Sequence, residues 1–146
     1  MSLRNLVGVS LDEIAPARQT LRRLLDGAAR HIADAKIKAV SAETRFSAAY
    51  TAIRMLADAG LHAHGYRTLT SRAGHHQTPI QTLTLTFGMD AATAARLDTL
   101  RRQRNLVEYT GDAIAESAVA ECLAQAEALL DRARTWLRAN RPELGP

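Results

Sequence analysis

The cleanest helical period in this chain runs from Phe46 to His64, and it dictates most of what the chain can become. Phe46, Ala49, Tyr50, Ile53, Leu56, Ala57, Gly60, Leu61 and His64 recur at steps of three and four, which stacks them on one side of an α-helix. The stripe is too wide for a single neighbour to cover, so it calls for a partner helix on each side. Ser41 stands where an N-cap belongs, with Glu43 in the first turn. Gly65 suits a left-handed cap at the other end.

Other segments supply those partners. Ala17, Leu21, Leu24, Ala28, Ile32 and Ala35 predict a first helix over about Pro16 to Lys38, with Pro16 in its first turn. Asp90 can cap a helix from Ala91 to Tyr109 that Gly111 stops. A last helix over Ala113 to Ala139 faces the core with Ala115, Val119, Cys122, Ala126, Leu129, Ala133 and Trp136. Apolar residues make up 47% of the chain and aromatics only 4%. The core is therefore built from Ala and Leu, which favours close-packed helices over a β-sandwich. The expected fold is all-α: an antiparallel bundle of four long helices plus a short fifth.

That short helix is the least determined element. Thr78-Pro79-Ile80-Gln81 reads as a capping box with proline at the first helical position. Leu83, Leu85 and Phe87 alternate with threonines as a strand would, but no second strand is visible to pair with them. Residues 78–87 are read as helix. Residues 65–77 have no period and read as a long loop carrying Arg67, Arg72, His75 and His76. Residues 1–15 read as a flexible N-terminal arm, 16–139 as the bundle, and 140–146 as a frayed tail.

Cys122 is the only cysteine, so no intrachain disulfide can form and a reducing cytosol suits the chain. Its place on an apolar helix face marks a small buried hydrophobe rather than a nucleophile. No apolar run reaches the length of a membrane span. Residues 1–16 lack a signal-peptide core, so a cytoplasmic location is expected. The net charge of +4 comes from 17 arginines and two lysines against 15 acids. That is too small a surplus to identify a polyanion partner by itself.

The local distribution of arginine says more. Leu97 and Leu100 set the inward face of the segment from Ala91 to Tyr109, and the next residue at helical spacing is Arg104, then Val107. A guanidinium thus stands where leucine is expected, which is costly unless it is paired. Glu108, one turn on, is its natural partner. Arg101, Asn105, Glu108 and Tyr109 form an adjoining polar strip. A plain structural salt bridge beside a solvated basic face accounts for the same pattern.

The run Arg104-Asn105-Leu106-Val107-Glu108-Tyr109 resembles the signature of the HEPN superfamily, an Arg commonly followed by a polar residue, with a His four to six places beyond the Arg. Arg45-Phe46-Ser47-Ala48-Ala49-Tyr50 and the stretch from Ala57 to Arg67 are similar to the second helix of those bundles. The resemblance covers roughly residues 16–139. It implies an antiparallel helical bundle that dimerises, with the Arg–His pairs of two chains lining one composite cleft. Catalytic members are metal-independent ribonucleases in which the Arg holds the scissile phosphate and the His moves protons. Toxin–antitoxin pairing, or a nucleotidyltransferase-type partner, is also implied. This chain departs at the decisive place, where Tyr109 replaces the His. A tyrosine titrates about three and a half units above histidine, so it is a poor base at neutral pH, though its hydroxyl can still meet a phosphate.

Three readings follow. The first is a dimeric binding or assembly module that contacts RNA or a nucleotide phosphate through Arg101, Arg104, Asn105, Glu108 and Tyr109, with Arg67, His75 and His76 as further ligand-binding candidates. The second is a ribonuclease in which Tyr109 or His76 replaces the usual His beside Arg104. The third is a purely structural interaction domain. Neither a cofactor nor a metal is expected. His62 and His64 are two apart on a helix and point to opposite sides, and no Cys or carboxylate stands at ligand spacing near His75 and His76. His31 and His64 read as ordinary helix residues.

Overall fold

Ser41 and Asp90 start two of the long helices by the same device. The Ser41 hydroxyl accepts from the Thr44 N–H, and the Asp90 carboxylate accepts from the Thr93 N–H, each satisfying one otherwise orphaned donor of a first turn. In the computed structural model, which describes residues 2–70 and 77–145, the long helices are α1 (Arg18–Ala35), α2 (Ala42–Ala63), α5 (Ala91–Thr110) and α6 (Glu116–Asn140). Two short ones, α3 (Gln77–Gln81) and α4 (Leu83–Thr86), connect α2 to α5. The fold is all-α with a small two-stranded ribbon.

The α2 stripe is the centre of the core. Phe46, Ala49, Tyr50, Ile53, Leu56, Ala57 and Leu61 are all buried. α1 and α6 close over it with Leu21, Leu25, Ala28 and Ile32 from one and Val119, Cys122, Ala126, Leu129 and Ala133 from the other. α5 rests on α2, α3 and α4. Burial pushes the Cys122 thiol up to about 12, consistent with an inert core residue. No described helix is long and apolar enough to cross a membrane.

Residues 78–87 are helical but broken. The Thr82 hydroxyl turns back to the Pro79 carbonyl at 2.9 Å, and α4 restarts at Leu83 as a separate turn. Gly111 ends α5 at φ +71°, as its lack of a side chain allows. α1 is shorter at both ends than the period implied, and α6 begins three residues later than expected.

The chain ends differ from expectation. The first residues are not a loose arm: Leu11 is fully buried, and Leu11–Glu13 (β1) pairs antiparallel with Tyr66–Thr68 (β2), Leu11 opposite Thr68 and Glu13 opposite Tyr66. Part of the expected long loop is therefore a strand. Three-residue strands are too short to show alternation, and only the tertiary pairing makes them visible. The tail is also tied down. Arg141 donates to the Ala63 carbonyl at 2.7 Å, and Leu144 is buried.

Candidate functional site

Arg104 occupies the place on α5 that its spacing assigned. Leu97 and Leu100 are fully buried two turns and one turn earlier, and the Arg104 side chain is only 23% exposed. Its Nη2 reaches Glu108 Oε1 at 3.0 Å. Its guanidinium lies over the Tyr50 ring of α2, 5.5 Å from the centroid, within cation–π range. Among the described residues neither its buried Nε nor the buried Tyr50 hydroxyl has a hydrogen-bond partner. Burial pushes the Tyr50 phenol up to about 12, against the pull of Arg101, Arg104 and Arg54.

Beside this group lies a cleft of about 480 Å³ between α1, α2 and α5. Arg104, Val107 and Glu108 line it from α5, His31 and Asp34 from α1, and Glu43, Phe46, Ser47 and Thr51 from α2. Three carboxylates thus share the walls with one guanidinium, which is already paired. An incoming phosphate would meet more negative than positive charge and would have to displace Glu108. Among the described residues no group of His, Cys, Asp and Glu could hold a metal ion.

The other expected site residues disperse. Arg101 is turned back along its own helix, Nε to Asp98 Oδ1 at 2.8 Å, and Arg102 holds the other oxygen at 2.7 Å. Burial raises the Asp98 pKa, but these two guanidiniums overcome it and the net shift is downward. Asn105 is half-buried and does not line the cleft. Tyr109 is 88% exposed and points away from Arg104 rather than completing a strip with it. The reason is angular: five residues past Arg104 is well over a quarter-turn around the helix. Arg67 sits on β2, paired with Asp12 at 3.4 Å and lining a different hollow. His75 and His76 lie outside the described residues.

Two residues matter more than the sequence indicated. His31, read as an ordinary helix residue, lines the Arg104 cleft, and nothing local announces this because α1 and α5 are far apart in sequence. Arg45 is buried, with both terminal nitrogens on Glu116 of α6 at 3.0 and 2.5 Å and its Nε on the Val40 carbonyl. That pair fixes the start of α6 against α2. Comparison of the chain with protein-family models, curated proteins and solved structures gives no match.

Proposed function

We propose that this chain is a HEPN-like assembly module that joins a second copy of itself through the outward face of α5. The observation that carries this is the make-up of that face. Ala91, Ala92, Ala95, Thr99, Arg102, Leu106, Tyr109 and Thr110 are all exposed and fall on one side of the helix. Arg102 is the only charge among them, and it is turned back onto Asp98, whose carboxylate it shares with Arg101. By contrast, the outward face of α1 carries Arg18, Arg22, Arg23, Asp26 and Arg30. Leu106 is 59% exposed and Tyr109 88%, and no residue of α5 beyond Leu100 is fully buried.

A second copy suits this face better than an unrelated partner. The face offers no charge pattern for a specific heterologous match. Its alanines and threonines let two helices approach closely about a two-fold axis. RNA or nucleotide recognition, if it accompanies assembly, belongs to the Arg104 cleft and requires Glu108 to release the guanidinium. Light scattering across a concentration series tests the assembly reading. A dimer is expected for the wild type and a monomer for Leu106→Asp with Tyr109→Asp. A wild type that stays monomeric at the highest soluble concentration removes it.

A second reading is favoured by one observation, the presence of His31 in the same cleft as Arg104. In a metal-independent ribonuclease of this kind Arg104 would hold the phosphate and His31, rather than Tyr109, would transfer protons. Cleavage of RNA in the presence of a chelator, lost in Arg104→Ala and in His31→Ala but kept in Tyr109→Phe, is the expected pattern. Intact RNA at high protein concentration eliminates this reading.

A further inference from the structure

We propose that the N-terminal half of α1 is a contact surface for the phosphate backbone of a nucleic acid, separate from the Arg104 cleft. Arg18, Arg22 and Arg23 are exposed within little more than one turn, and Arg30 continues the same side of the helix. Among the described residues none of the four has a carboxylate within ion-pair distance. The one side-chain contact among them is a long one from Arg23 to the Thr20 hydroxyl at 3.5 Å. The single acid on this stretch is Asp26, exposed and outnumbered. Most other arginines of the chain are held: Arg45, Arg54, Arg96, Arg101, Arg102, Arg104 and Arg141 each have a carboxylate.

The placement works against the helix itself. α1 has no acidic residue in its first turn and no side-chain cap, so Arg18 faces the positive end of the helix dipole. Arg18 and Arg22 stand four apart on the same side of the helix, where like charges repel. The fold gains nothing from this arrangement, whereas a row of anions would relieve it.

The shape of the surface selects the kind of anion. This is an open, convex helix side and not a hollow that could enclose a small nucleotide. An extended chain of phosphates touches several guanidiniums at once, each in the forked geometry that favours phosphate oxygens. No exposed large apolar residue lies on α1, so nothing on this surface anchors it in a lipid interface.

The test is fluorescence anisotropy of a labelled single-stranded RNA oligonucleotide with the full chain across a range of salt. Wild type is expected to bind with a logarithmic salt slope of about −2, as three displaced counterion sites on a single strand give. Arg18→Gln with Arg22→Gln and Arg23→Gln is expected to lose about tenfold or more in affinity at low salt and most of that slope. Removing the same charge elsewhere, in Lys36→Gln with Lys38→Gln and Arg138→Gln, is expected to change affinity much less. All six positions are exposed, and circular dichroism confirms that each variant is folded. Equal losses in the two triple variants overturn the proposal. So does binding that survives the α1 changes but is lost in Arg104→Ala, or a poly-glutamate competitor as effective as RNA.

Discussion

The guanidinium of Arg104 lies 5.5 Å from the centroid of the Tyr50 ring, and the Tyr50 hydroxyl is buried with no hydrogen-bond partner among the described residues. The ring face serves the cation, and the hydroxyl contributes nothing to that contact. Tyr50→Phe is therefore expected to be neutral or stabilising by up to about 1 kcal/mol in urea unfolding, because it removes an unsatisfied polar atom. Tyr50→Ala removes the ring as well and is expected to cost about 3–5 kcal/mol. A loss above about 2 kcal/mol in Tyr50→Phe would show that the hydroxyl has a partner after all.

The Arg104–Glu108 pair is half open to water on the Glu108 side. Pairs of that exposure contribute little, and Glu108→Gln is expected to lower stability by less than about 1 kcal/mol. The same change leaves two carboxylates instead of three around the cleft. Inorganic phosphate or a nucleotide should then bind Arg104 more tightly than in the wild type, as isothermal titration would show. Weaker binding in Glu108→Gln would mean that Glu108 positions Arg104 for the anion instead of competing with it.

Gly60 lets α2 approach α4 closely. A Cβ at this position would lie 2.7 Å from the Thr86 Oγ1, 3.0 Å from its Cβ and 3.1 Å from the Phe87 ring, all on buried residues with little room to shift. Gly60→Ala is expected to destabilise by about 1–3 kcal/mol through overpacking, despite alanine's better helix propensity. A stabilised Gly60→Ala variant would contradict this packing.

His62 Nε2 accepts the Ala17 N–H at 2.8 Å just before α1 begins. Burial lowers its pKa, and the contact itself needs a free lone pair on Nε2, so the folded state favours the neutral ring. The unfolded chain takes up the proton first. Stability is thus fully present above the unfolded value of about 6.5 and declines as pH falls toward the folded one. His62→Gln retains an acceptor and is expected to flatten this part of the profile in thermal unfolding at a series of pH values. Asp98, whose folded pKa is depressed, adds a separate loss that begins only below about 4.

Much of the architecture was legible along the chain because helices write their period locally. The α2 stripe, the Ser41 and Asp90 caps, the Gly111 stop and the Cys122 position all follow from neighbours within a few residues. The ribbon between residues 11–13 and 66–68 was not legible, because each strand is too short to carry an alternation. At the break between α3 and α4 the Thr82 hydroxyl donates to the Pro79 carbonyl, a side-chain contact that no periodicity announces.

For the site, the sequence by itself determined that a guanidinium stands on the inner face of α5 with a carboxylate one turn away. Both facts depend only on spacing within one helix. Tertiary structure alone decided what surrounds that pair: the Tyr50 ring from α2, His31 and Asp34 from α1, and Glu43 across the cleft. It also decided that Arg101 folds back on Asp98 and that Tyr109 faces water. Charge and exposure at a cleft are sums over elements far apart in the chain, and no local pattern contains that sum.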